Sequence, residues 1–400
     1  MDLVTLADVR AARDRVGHLL HRTPVETSQA ASRAAGRTTL LKCEHLQRTG
    51  SFKLRGAANR VARLTAEERA RGVVAASAGN HAQGLALSAA RVGAPAWVFM
   101  PEGAPLPKVA ATRSYGAEVV LTGETVDDAY AAARAHAAER GATFVHPFDH
   151  PDIIAGQGTL GLELLDQVPE AASVVVPVGG GGLVSGVATA IKGLRPDVTV
   201  VGVQAAGAAS VPPSLAAGAP QTLEGVSTIA DGIALKRPGE LTLAHIAARV
   251  DEVVTVADEA IARAVLLLVE RAKQVVEPSG AAGLAAVLDR TVELPEPCVA
   301  LLCGGNVDPL LLVRILQSGM GEEGRYFSLR TRLGDRPGAL SRLLAIVAER
   351  GANVVAVDHH RLGTRLDLLE VEVALEIETR GPEHIREIVD ALVAADYPIR

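Results

Sequence analysis

The chain has 400 residues, 48% of them hydrophobic, and a net charge of −6 with acidic and basic residues interspersed, enough to bury a large core in two or three domains. No basic stripe invites nucleic acid, no uncharged run is long enough to span a bilayer, and Cys43, Cys298 and Cys303 lack metal-ligand spacing. Three cysteines form no disulfide framework, and the N-terminus lacks a basic start followed by an apolar core, so the expected location is the cytoplasm.

Aromatic residues make up only 2% of the chain, so the core must pack from Val, Leu, Ile and Ala, as in α/β proteins. In chain order, the pattern predicts an amphipathic helix over residues 5–20 and a short strand over 38–43. Strands and helices then alternate: helix 66–71, strand 73–77, helix 81–92, strand 96–100, helix 106–115, strand 117–121, helix 125–140 and strand 143–145. The alternation resumes with helix 153–167, strand 173–178, helix 183–193, strand 198–204, helices 257–272 and 279–288, and a continuous apolar strand over 298–302. This is the pattern of parallel sheet covered by helices. Residues 212–233, rich in Gly, Pro and Ala, are expected to cross the surface. A glycine-rich stretch over 317–324 reads as a linker, and beyond it strand 325–333, helix 337–350, strands 353–361 and 366–376, helix 383–394 and a final short strand give a βαββαβ order, that of a ferredoxin-like sandwich.

Only six of the forty basic residues are lysines, and one of them, Lys53, lies in the run Ser51-Phe52-Lys53-Leu54-Arg55-Gly56-Ala57. A lysine desolvated by apolar neighbours has a lowered pKa and a free amine for Schiff-base chemistry, whereas an isolated lysine is more often a solvated surface charge. Two apolar strands run into glycines and then open helices, at Ser77-Ala78-Gly79-Asn80-His81 and at Gly179-Gly180-Gly181-Gly182-Leu183. Four consecutive glycines suit a loop whose amides approach a phosphate, helped by the positive end of the next helix; a flexible strand-to-helix connection is the alternative.

Together with Cys303-Gly304-Gly305-Asn306, these motifs resemble the threonine ammonia-lyases (threonine dehydratases) of the fold type II pyridoxal-phosphate enzymes, in the family's order and over about residues 5–318. The tail, with Gly334-Asp335-Arg336-Pro337-Gly338-Ala339-Leu340 and Asn353, resembles an ACT domain. The resemblance implies a two-lobed, tryptophan synthase beta-like body over 1–318, its smaller lobe at about 47–147, then a linker at 319–324 and a regulatory domain over 325–400. It implies that Lys53 carries pyridoxal 5'-phosphate as a Schiff base beside Phe52, and that Gly179, Gly180, Gly181, Gly182 and Leu183 hold the phosphate. Asn80 would meet the ring hydroxyl and Cys303 the pyridine nitrogen, while Ser77, Ala78, Gly79, Asn80 and His81 receive the substrate carboxylate. Gly338, Ala339, Leu340 and Asn353 would bind an amino-acid effector such as isoleucine or valine between paired copies in a homodimer or homotetramer.

The implied reaction is loss of water from L-threonine to give 2-oxobutanoate and ammonia, with L-serine a weaker substrate. A thiol at the ring nitrogen is a weak donor, which favours a substrate whose Cβ carries a leaving group. Asn80 could instead cap its helix, His81 is expected to matter through its backbone, and Cys303 could be an inert core thiol. Related serine racemases carry a second serine where this chain has Ala78, and two metal-binding carboxylates where it has residues 204–210, so poor racemisation and no metal are expected. A serine ammonia-lyase, a β-replacement synthase and an inactive amino-acid sensor are the rival readings. Isoleucine synthesis and threonine breakdown both remain open as the pathway.

Overall fold

The computed structural model describes residues 2–361 and 369–399. They fall into two compact units, Met1–Asp308 and Pro309–Arg400. The strands, in chain order, are β1 (Val25–Thr27), β2 (Thr39–Lys42), β3 (Val73–Ala76), β4 (Ala96–Met100), β5 (Glu118–Leu121), β6 (Thr143–Phe144), β7 (Ser173–Pro177), β8 (Thr199–Ala205), β9 (Glu252–Val256), β10 (Cys298–Leu301), β11 (Tyr326–Gly334), β12 (Asn353–His360) and β13 (Glu370–Glu378).

The first unit contains two sheets. One has the order β1-β2-β10-β7-β8-β9, parallel except for the antiparallel edge β1. The other is wholly parallel, in the order β5-β4-β3-β6. In both, chain order and spatial order differ because each parallel connection must cross over a face with a helix. Residues 212–233, expected as surface loop, include part of a helix, Val211–Ala217, and a short 3-10 turn, Asp231–Ile233. The helix expected over 257–272 is α-helical only over Asp258–Leu267 and continues as a π-helical turn, Leu268–Ala272. The sequence pattern missed the helix Lys53–Ala62, because its buried face includes Arg55 and Asn59 and so breaks the apolar period.

That helix is tied down by a buried ion cluster. The Arg55 guanidinium donates to both oxygens of Glu44, at 2.7 and 2.6 Å, and to Glu163 Oε2 at 2.9 Å. Lys42 Nζ, at the end of β2, donates to Glu163 Oε1 at 2.6 Å and to the Thr23 carbonyl at 2.7 Å. Burial opposes ionisation of Glu44, yet the Arg55 charge against it holds its carboxyl below the usual range. Close approach fixes the next layer: a side chain at Gly186, in the helix Gly182–Leu194, would collide with the Ile154 carbonyl of the helix Pro151–Gln167.

The second unit has three antiparallel strands in the order β11-β13-β12, and Ile399 bridges to Thr331 in place of the expected final strand. The helices Ala339–Glu349 and Pro382–Ala394 close a core of Leu329, Leu343, Val373, Leu375, Ile388 and Leu392. Two expectations are corrected here. Residues 319–322, read as linker, form the last turn of the helix Pro309–Glu322, whose apolar residues outweigh its glycines. The strand expected over 366–376 is β13, Glu370–Glu378, and residues 366–368 lie outside the described residues.

Replacing Arg55 with Met would strip buried Glu44 of its main counter-charge, leaving only Thr23 and the more distant Lys42. The expected cost is about 3–5 kcal/mol of stability, seen as a lower urea midpoint for the first unit.

Candidate active site

Three strands of the first unit, β3, β7 and β10, deliver loops from their C-terminal ends, where open α/β sheets place their ligands. After β7, Gly179, Gly180 and Gly181 lead into the helix Gly182–Leu194. Gly181 has φ +94, and a Cβ at Gly180 would come within 2.5 Å of the Phe148 ring, so the turn and the close packing both demand glycine. Among the described residues the amides of Gly179, Gly180, Gly181, Gly182 and Leu183 have no protein acceptor. With the helix end behind them they form an anion cradle, which fits a phosphate.

After β3, the Ser77 amide donates to the Phe99 carbonyl at 3.1 Å and the Gly79 amide to Ser77 Oγ at 3.2 Å. The amides of Ala78, Asn80 and His81 are left without a protein acceptor among the described residues, at the start of the helix Asn80–Arg91. A Cβ built on Gly79 would meet nothing within 4 Å, so this turn borders open space. The His81 ring is buried, and its Nε2 lies 3.0 Å from the Val145 carbonyl. Burial, with Lys53 nearby, pushes its pKa down to about 3, so the neutral ring donates to that carbonyl and only its backbone faces the turn.

Lys53 begins its helix directly beside the third loop. The Phe52 amide donates to the Cys303 carbonyl at 3.1 Å, and Ser51 bridges to Gly304. Lys53 Nζ donates to the Pro147 carbonyl at 3.0 Å and lies 5.3 Å from the Phe52 ring centre. Burial lowers its pKa to about 8, partly opposed by the Glu277 carboxylate. Cys303 is buried, with Sγ 3.7 Å from the Leu301 carbonyl, and burial pushes its thiol well above the usual range. It is therefore a neutral thiol and a weak donor.

Asn80 does not use its side chain as a helix cap. Its Nδ2 donates to Glu277 Oε1 at 2.7 Å, and its Oδ1 accepts from Asn306 Nδ2 at 2.7 Å. Glu277 carried no signal beyond a lone acid before Pro278, and Asn306 was visible only as the end of a motif. Asp231 and Lys108, paired at 2.8 Å, come from distant stretches and border the same carboxylate. Both were unreadable from the sequence because tertiary folding alone brings them there.

In the second unit, the candidate effector residues do not converge within one chain. Gly338, at φ +82, caps the helix carrying Ala339 and Leu340, beyond the end of β11 where Gly334 pairs with Glu370. Asn353 pairs with Glu378, which pairs with Tyr326 at the other end of β11. Eight strand steps, about 27 Å, separate these ends, because the intervening helix runs the length of the strand.

A family model described as pyridoxal-phosphate dependent enzyme matches residues 17–304, and an ACT domain model matches 327–394. The L-threonine ammonia-lyase of Thermotoga maritima is 47% identical over 398 residues, covering 100% of this chain and 99% of its own. A threonine deaminase crystal structure from T.th. is similar with a TM-score of 0.73 and 46% identity, covering 76% of this chain and 99% of that one. The maize serine racemase structure is similar with a TM-score of 0.75 and 36% identity, over 81% of this chain and 100% of that one.

A lysine amine attacks an aldehyde only when neutral. Capture of pyridoxal phosphate by the cofactor-free protein, followed by its visible band, should therefore speed up with pH through a midpoint near 8 and then level off. A rate still climbing toward the ordinary lysine value would contradict the burial of Lys53. With the amide cradle after β7, the desolvated amine of Lys53 and a matching family model over most of its length, this chain belongs to the pyridoxal-phosphate dependent enzymes.

Proposed function

We propose that this chain is a threonine ammonia-lyase, converting L-threonine to 2-oxobutanoate and ammonia and acting more weakly on L-serine. The observation that carries the reading is the 47% identity to an L-threonine ammonia-lyase along the full length of both chains. Pyridoxal phosphate, when bound, supplies the electron sink that makes the substrate Cα–H acidic. The chain's own groups do the rest. Lys53 would hold the cofactor and, as a free amine, would take the Cα proton. Gly179, Gly180, Gly181, Gly182 and Leu183 would bind its phosphate, and Asn80 would meet its ring hydroxyl. The amides of Ala78, Asn80 and His81 receive the substrate carboxylate and orient the Cα–H bond toward Lys53.

Two features favour elimination over racemisation. Cys303, a neutral thiol, would be only a weak donor toward the ring nitrogen, which suits a substrate whose Cβ carries a leaving group. Ala78 has no hydroxyl to return a proton from the opposite face.

The C-terminal unit adds regulation to this reading. With Gly338, Ala339 and Leu340 at one end of the sheet and Asn353 at the other, an effector such as isoleucine or valine would need one end from each of two copies. Homo-oligomers are the expected assembly. Calorimetric titration of isoleucine and valine should show saturable heat with a change in kinetics; a silent titration would remove the effector.

The defining measurement is 2-oxo acid release from L-threonine and L-serine side by side. Threonine should react faster, and Lys53→Ala should lower the rate by at least about 100-fold. A preference for serine would move the assignment to a serine ammonia-lyase.

A further inference from the structure

We propose that Glu277 is a positioning residue: it clamps the Asn80 carboxamide toward the cofactor ring hydroxyl, and its proton tunes the ionisation of that hydroxyl. This rests on the assignment of Asn80 under Proposed function.

A chain of amides fixes the geometry. The Thr49 carbonyl only accepts, so the Asn306 atom 2.8 Å away is Nδ2. The other Asn306 N–H goes to Asn80 Oδ1, which turns Asn80 Nδ2 toward Glu277 Oε1. One N–H of Asn80 is then spoken for by Glu277 and the second is left for the ring. Glu277 stands at the N-cap of the helix Pro278–Leu288, yet its side chain makes no cap bond. It reaches back to Asn80 instead, and any side chain at Gly304 would displace its Oε1. A carboxylate only 6% exposed, excluded from capping and given room by a glycine, is placed for Asn80.

The charges around it are mixed. Asp231, in the turn Asp231–Ile233, repels the ionised form, while Lys108, from the helix Leu106–Ser114, and the Lys53 amine attract it. The buried thiol of Cys303 faces it as a neutral group. Burial first and Asp231 second push the carboxyl up to about 7, so it changes charge across neutral pH.

The test is a spectrophotometric pH titration of the holoenzyme's visible band, with cofactor affinity measured in parallel. Wild type should titrate above the ordinary carboxylate range, the direction in which burial and Asp231 push Glu277. Glu277→Gln keeps the acceptor for Asn80 and should abolish that titration while holding the cofactor within about threefold; Glu277→Ala should lose about tenfold in cofactor affinity. Removing the repelling charge by Asp231→Asn should lower the midpoint, and removing the attracting one by Lys108→Ala should raise it. A Glu277→Gln protein that titrates like wild type, or a midpoint indifferent to both neighbours, overturns the proposal. If Glu277→Gln fails to bind cofactor, the two neighbours decide alone. Lys53→Ala separates the underlying reading: a borohydride-sensitive band that survives it refutes Lys53 as the attachment point without bearing on Glu277.

Discussion

The buried pairing of Arg55 with Glu44 and Glu163 is the constraint on which the active site depends. Arg55 lies two residues after Lys53 on one helix, Glu44 follows β2, and Glu163 lies on the helix Pro151–Gln167. One guanidinium therefore sets the position of the reactive lysine against the larger sheet. Such a cluster contributes little net stability over an apolar core of the same volume, since desolvation offsets most of the attraction. What it supplies is geometry. The planar fork accepts carboxylates from only a few directions, and a helix held this way cannot slide by a turn.

Burial then does chemical work at the same end of that helix, two residues before Arg55. Removal from water disfavours whichever form is charged, so it lowers the pKa of Lys53 to about 8 and of His81 to about 3, and raises those of Glu277 and Cys303. One environment thus leaves a readily deprotonated amine, a neutral imidazole, a neutral thiol and a carboxyl near its midpoint. Pushing titratable groups toward their neutral forms in a shared pocket separates those that move protons from those that only donate hydrogen bonds. His81 is of the second kind, its ring committed to the Val145 carbonyl.

The glycine loop after β7 and the turn after β3 follow a single construction. In each, a parallel strand ends and a helix begins with its first amides unpaired, and in the β7 loop Gly181 at φ +94 makes the turn. The sheets place both constructions at strand C-terminal ends, and the antiparallel bridge from Ser51 to Gly304 brings Lys53 beside the third loop. The second unit obeys different rules. Its antiparallel strands need no crossover between β12 and β13, and its loops lie at opposite ends of one sheet.

The sequence alone determined the local features: alternating strands and helices, the glycine loops, the unusual lysine and the ferredoxin-like order of the tail, because each is written in short-range periodicity and in residue types with one backbone use. It did not reveal the helix Lys53–Ala62, whose buried Arg55 and Asn59 look like a solvent face until their partners are known. It read residues 319–322 as linker because their glycines outweighed the apolar spacing of the helix before them. Glu277, Asn306, Asp231 and Lys108 were invisible as a set, being separated by up to 198 positions and joined only where strands and loops converge. Contact between such residues is a property of the packed chain, and so is the burial that sets their charge. The sequence named the chemistry; tertiary structure decided which groups hold it in place.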